Sequence, residues 1–251
     1  MLKIVLERIR QKHRTTKYPA EAAVLPELFR GYPRLDQTLC PDGCRACTAV
    51  CPTGAISCSG GLALDMGKCL FCPECLRDCP TGAVVFERDE KLAASSRTDL
   101  VVRTGQEHRL AQVMGKELVS LFGRSFKLRE VSAGGCNACE ADTNVLSTVG
   151  FDLGRFGIQF VASPRHADGI YVTGPVTGNM RIALLKTWEA IPGPKLVIAA
   201  GACAINGGPY QGHDEVHDGV DTFLPVDLYI PGCPPHPLTI LDGLLRLLGR
   251  V

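Results

Sequence analysis

Aromatic residues are scarce in this chain of 251 residues, with one Trp, five Tyr and nine Phe, which argues against a surface on which nucleic-acid bases stack. Neither sign of charge is in excess: 27 basic residues meet 26 acidic ones for a formal net charge of +1, so nothing draws a polyanion. No G-x-G-x-x-G and no G-x-x-x-x-G-K-S/T occurs, which leaves direct binding of a nicotinamide, a flavin or ATP unsupported, and no nucleophilic triad stands out. The first seventeen residues lack the uninterrupted apolar region and cleavage site of a signal peptide and are too short and too charged to cross a bilayer. They place Leu2, Val5, Leu6 and Ile9 on one helical stripe, with Lys3, Arg8, Arg10 and Lys12 elsewhere. That pattern predicts a short basic amphipathic helix, suited to a membrane surface, to a partner, or to packing on its own body.

Cysteine is abundant instead. The chain has thirteen, and eight of them form two near-copies of one pattern. The second copy, Cys69-x2-Cys72-x2-Cys75-x3-Cys79-Pro80, has the bacterial-ferredoxin spacing for iron-sulfur ligation. The first, Cys40-x3-Cys44-x2-Cys47-x3-Cys51-Pro52, differs by one extra residue in its first gap. Three thiolates two residues apart on a tight loop each reach a different iron of one cube, and the fourth ligand comes from elsewhere. In the two-cluster arrangement the distal cysteine of each copy serves the other copy's cluster. Cys40, Cys44, Cys47 and Cys79 are therefore expected at one 4Fe-4S cluster, and Cys69, Cys72, Cys75 and Cys51 at another. Gly43 lets the loop absorb the extra residue; the alternative is that Cys40 is not a ligand and a three-iron cluster results. A zinc module or a disulfide framework fits less well, because these are triplets plus a single rather than two separated pairs, and no secretory signal accompanies them. The copies continue as CPTGAIS and CPTGAVV, where Thr-Gly predicts a turn and the apolar residues a short strand.

From Tyr18 to Gln37 the chain is proline-rich and is expected to pack on a neighbour. Charged and small polar residues from Glu87 to Gln106 suggest a domain boundary near Ala94 and Ser95, giving residues 1–95 and 96–251. The second part alternates helices and strands: a helix from His108 to Gly123, strand FKLREV, a helix after Cys139, strands IQFVA and GIYVTG, a helix around Met180 to Glu189, strands KLVIAA and VDLYI, and a terminal helix LTILDGLLRLL. This predicts an α+β ferredoxin-like domain followed by an α/β domain with a mostly parallel, flavodoxin-like sheet. Ligands of such sheets gather at the carboxyl ends of the strands. Cys136 and Cys139 follow FKLREV, Cys203 follows KLVIAA and Cys233 follows VDLYI, so these four are expected to hold a third 4Fe-4S cluster. Twelve cysteines are then used, and Cys58 is left as a small structural thiol. The segment His213 to His217 has two histidines at i, i+4, but its glutamate is in the wrong place for a zinc-protease motif.

SAGGCNACE, ADGIYVTGPVT, GACAINGG and PGCPPHP, in this order, resemble the small electron-transfer subunit shared by membrane-bound nickel-iron hydrogenases of the formate hydrogenlyase type and by respiratory complex I. The likeness covers roughly residues 125 to 250. The part before it, including YPAEAAVLPELFRGYP, is similar to the two-cluster ferredoxin subunit of the same complexes, so the chain looks like a fusion of the two. Complex I versions usually carry two adjacent cysteines where Cys136-x2-Cys139 stands here, which favours the hydrogenase branch. The resemblance implies an oxidoreductase component with three 4Fe-4S clusters and no catalytic residue of its own, whose active site is completed by a large subunit. It implies further ferredoxin or membrane subunits as partners, and a cytoplasmic location, peripheral on the inner face of the cytoplasmic membrane. The alternative is a complex I-like component passing electrons to quinone. Glu140, next to a ligand, is expected to cap a helix or support the cluster rather than to carry protons; Arg165 and His166 are candidates to face the same cluster.

Overall fold

The amphipathic helix forms as its pattern predicts. In this computed structural model, which describes residues 2–12 and 14–251, α1 spans Leu2–Gln11 and buries none of its residues. Leu2, Ile4, Leu6 and Ile9 all face outwards, so packing on its own body is not the setting observed. The proline-rich lead-in divides its behaviour. Tyr18 packs inward, its hydroxyl donating to Asp242 Oδ1 at 2.9 Å, whereas Val24 and Leu28 are 97% and 83% exposed.

The cysteine repeat folds into small pieces. In chain order these are β1 (Pro33–Leu35), α2 (Ala46–Ala49), β2 (Ile56–Ser57), β3 (Ala63–Asp65), α3 (Glu74–Asp78), β4 (Val84–Phe86) and β5 (Val101–Arg103). Each Cys-Pro-Thr-Gly turns at a glycine of positive φ, Gly54 at +60° and Gly82 at +71°, a conformation that costs glycine little. The apolar residues that follow become β2 and β4. Strand β1 pairs antiparallel with β4, and β3 lies antiparallel between β2 and β5. Although β5 lies past Ala94 and Ser95, it extends this sheet, and Arg97 reaches back to Asp65 with two bonds of 2.7 Å.

The remainder is a doubly wound α/β unit: α4 (Lys116–Phe122), β6 (Phe126–Ser132), α5 (Ala138–Val145), β7 (Ile158–Phe160), β8 (Gly169–Thr173), α6 (Gly178–Ala190), β9 (Leu196–Ala200), α7 (Ala202–Asn206), β10 (Leu228–Ile230) and α8 (Pro237–Leu247). The expected helix from His108 shrinks to α4. Ala111 N–H donates to Ala93 O at 2.7 Å and Gln112 N–H to Ser95 Oγ at 2.8 Å, so these amides are committed elsewhere and the helical ladder starts only after Gly115. All neighbouring strands run parallel in the order β10-β9-β8-β6-β7. Counted along the chain this is the flavodoxin-like order 2-1-3-4-5. Every residue of β8 and β9 is buried, as strands covered on both faces require.

Alternate residues of these strands feed two cores. On one face Ile170 and Val172 pack with Ile205 and with Leu64, Met66 and Leu100 of the cysteine-rich part. On the other, Tyr171 and Ile198 pack with Leu241, Leu244 and Leu245 of α8. Ala94 bridges to Tyr229 of β10, so backbone pairing as well as side-chain packing joins the two parts.

Asp242, on α8, is 1% exposed, accepts from Tyr18 and pairs with Arg246 at 2.7 Å. Removing one partner of a buried charged pair strands the other. Asp242→Ala is expected to lower unfolding free energy by about 3 kcal/mol and Tyr18→Phe by about 1 kcal/mol, both measured by denaturant titration.

Candidate metal centres

Among the described residues, no two of the cysteines are joined in a disulfide, and the charges acting on each one sort them into groups. Burial and then Cys58, Cys44 and Cys79 push Cys40 up from its ordinary value. Burial, then Cys58, Cys40 and Cys79, push Cys47 up to about 12. In a separate neighbourhood burial raises Cys69, whose other thiol neighbours are Cys75, Cys51 and Cys72, and burial followed by Cys72 and Cys51 takes Cys75 up to about 11. The distal cysteines have thus changed places: Cys79 of the second copy stands with the first group, and Cys51 of the first copy with the second. This is the crosswise arrangement that the repeat implied. One neighbour was not foreseen, because Cys58 joins the first group.

The two distal thiols sit in matching cradles. Cys51 Sγ accepts from Ala55 N–H and Cys79 Sγ from Ala83 N–H, each at 3.2 Å, with Thr53 and Thr81 hydroxyls at 3.9 Å and 3.8 Å. Phe71 N–H donates to Cys69 Sγ at 3.2 Å. Donors aimed at sulfur are a principal lever on an iron-sulfur centre's potential.

A third group lies where the strands end. Burial and then Cys203, Glu140, Cys233 and Cys136 raise Cys139; burial followed by Cys233 and Cys136 takes Cys203 up to about 12. The loops carrying them are laced together, since Gly201 N–H donates to Ile230 O and Ala202 N–H to Gly232 O, both at 2.8 Å. Gly201, at φ +87°, leaves room for sulfur: a Cβ there would lie 2.6 Å from Cys139 Sγ. Cys203 is buried, whereas Cys136 and Cys233 are exposed, so this group opens to the surface. Burial, Cys136 and then Cys72 act on Cys233. Cys72 and Cys233 both line a cavity of about 460 Å³ between the second and third groups.

Glu140 is buried in the first turn of α5 and accepts from Thr173 Oγ1 at 2.6 Å, which ties the ligand-bearing helix to the end of β8. The helix cap is Asn137, at φ +70°. Arg165 and His166 are placed differently from expectation. They are exposed on a turn that precedes β8, at the amino edge of a parallel sheet, while the third group occupies the carboxyl edge. Glu130 was missed by sequence reasoning although it breaks the alternation of its strand: it shares the face of buried Phe126 and Leu128, where an apolar residue is expected.

Among the described residues, no three or more Cys, His, Asp or Glu side chains are placed to hold a metal ion. A 4Fe-4S cube needs thiolates that each take a different iron; the first two groups have backbone donors aimed at Cys51, Cys69 and Cys79, and the third has Gly201 beside Cys139.

Glu130 Oε1 is buried without a partner, and burial, followed by the Glu140 carboxylate, pushes Glu130 up from 4.5 to about 7. Its folded pKa is raised, so the stability it contributes is complete below about 4.5 and is lost as pH climbs through 7. In thermal unfolding from pH 5 to 8, Glu130→Gln is expected to flatten that decline.

Residues 136–247 match the family described as NADH ubiquinone oxidoreductase, 20 Kd subunit. The chain is 43% identical over 136 residues to formate hydrogenlyase subunit 7 of Escherichia coli, covering 54% of this chain and 53% of that protein. It therefore spans about half the length of that relative. It is 39% identical over 145 residues to the probable membrane-bound hydrogenase subunit mbhJ of Pyrococcus furiosus, covering 58% of this chain and 84% of that one. With an NADH-quinone oxidoreductase subunit of Heliobacterium modesticaldum the identity is 41% over 136 residues, covering 54% and 77%. The matched segment begins at Cys136 and takes in Cys139, Cys203 and Cys233, and with most of two of these relatives spanned at about 40% identity, the chain belongs to the family of the NADH ubiquinone oxidoreductase 20 Kd subunit.

Proposed function

We propose that this chain is the electron-transfer subunit of a membrane-associated nickel-iron hydrogenase complex of the formate hydrogenlyase type, holding three 4Fe-4S clusters. The observation that carries the reading is the set of four thiols from three strand ends, Cys136, Cys139, Cys203 and Cys233, inside the segment that matches the family. Cys40, Cys44, Cys47 and Cys79 would hold a second cluster, and Cys69, Cys72, Cys75 and Cys51 a third, as a two-cluster ferredoxin domain. When bound, such clusters supply one-electron carriers whose potentials follow burial, local charge and hydrogen bonds to sulfur.

The chain's own residues supply those levers. Ala55, Phe71 and Ala83 N–H groups stabilise negative charge on Cys51, Cys69 and Cys79. The Thr173 hydroxyl donates to the Glu140 carboxyl group and so fixes its position beside Cys139. The cavity bounded by Cys72 and Cys233 supports the order first ferredoxin group, second, then the group at the sheet edge. Exposed Cys136 and Cys233 mark the face toward a large subunit, where substrate chemistry takes place. No helix among the described residues is long and apolar enough to cross a membrane, so membrane contact would be peripheral, through partners or through the outward apolar stripe and basic residues of α1. A complex I-like role, delivering electrons to quinone, is the second reading, favoured by the identity with the NADH-quinone oxidoreductase relative.

Anaerobic purification followed by iron and acid-labile sulfide analysis is expected to find about twelve irons per chain, falling to about eight in Cys203→Ala. Reduction should give overlapping paramagnetic signals of three centres. A chain without iron, or one whose iron content ignores Cys203, would sink the proposal.

A further inference from the structure

The two copies of the repeat differ in a second place besides the extra residue before Cys44. Aligned on CPTGAIS and CPTGAVV, Cys58 occupies the position that Phe86 holds in the second copy. The copy with a stretched first gap is thus also the copy with an extra thiol. Cys58 lies at the end of β2, at the mouth of the hairpin to β3. It lines a cavity of about 300 Å³ together with Cys40 and Cys44, and it packs against the same core as Cys40, Cys51 and Cys79.

The hairpin is held against the Cys40 loop by one side chain. Gln37 Oε1 accepts from Leu62 N–H at 3.2 Å, and Gln37 N–H donates to Thr104 Oγ1 at 3.2 Å. Gly61, at φ +113°, lets the hairpin pass close by, since a Cβ there would lie 2.9 Å from Gln37 Oε1. Cys40 follows Gln37 by three residues, so the clamp ties the position of Cys58 to that of Cys40. Cys40 is itself less anchored than its counterpart. Cys69 is buried and receives an N–H from Phe71, whereas Cys40 is only partly buried, and among the described residues no backbone N–H is bonded to its sulfur.

We propose that Cys58 is a fifth thiol of the first cluster site, placed to bind the iron that Cys40 would otherwise hold. The inference rests on the iron-sulfur reading given above. In the exchange one iron–sulfur bond to Cys40 breaks and one to Cys58 forms, with a proton released by the Cys58 thiol and one taken up by Cys40. Iron oxidation state is unchanged. The site then tolerates loss of either thiol but not of both.

The test uses the full chain, purified without oxygen, as wild type, Cys40→Ala, Cys58→Ala and the double variant. Each single variant is expected to keep the wild-type iron content and to show no oxidised three-iron signal. The double variant is expected to lose about one iron per chain and to gain that signal. The inference is overturned if Cys40→Ala alone shows the three-iron signal at the level of the double variant, or if the double variant keeps all its iron. Should the double variant not accumulate, alkylation of Cys40→Ala decides: Cys58 is expected to resist iodoacetamide in the loaded protein and to react once iron is chelated, and equal reaction in both states overturns the idea. Iron missing from the wild type would instead overturn the reading on which the inference rests.

Discussion

The cysteine-rich part depends on an exchange of sulfur between the two halves of its repeat. Cys51 stands with the second triplet and Cys79 with the first, so each half lends a thiol to the other half's group. The strands around them are two or three residues long, and several thiols are themselves core side chains, with Cys47, Cys69 and Cys75 buried among Ile56, Leu64 and Val84. Such a unit has little independent apolar core. Burial also holds Cys40, Cys47, Cys69 and Cys75 above their ordinary range, so any metal entering there has to displace protons, which couples its binding to pH and to folding.

The α/β part follows a different logic. Its two central strands are apolar throughout and α8 covers one face with Leu241, Leu244 and Leu245; this core exists without any help from sulfur. The third thiol group is set on the carboxyl rim of that core, on the side where the strand order reverses between β6 and β8. Rigid strands fix where Cys136, Cys139, Cys203 and Cys233 emerge. Glycine and left-handed Asn137 supply the tight turns that bring them together.

Much of this was legible in the chain because it is carried by spacing. The strands FKLREV, GIYVTG and KLVIAA and the terminal helix all follow from periodicity. What was not legible depends on contacts distant in sequence. The amides of Ala111 and Gln112 bond to residues 93–95 instead of continuing a helix, and no local pattern announces that. Arg165 and His166 were read from proximity in sequence to a strand, which does not tell one edge of a sheet from the other. Cys58 looked idle for the same reason: its neighbours are brought to it by the hairpin and by Gln37.

The seam between the two parts has a consequence of its own. Leu64, Met66 and Leu100 interlock with Ile170, Val172 and Ile205, and Ala94 is stitched to Tyr229. Two proteins that dock reversibly part on dilution and must find their alignment again at each encounter. Here the gap bounded by Cys72 and Cys233 is a property of one folded polypeptide, as fixed as the width of its sheet, and it is the same at nanomolar as at millimolar concentration.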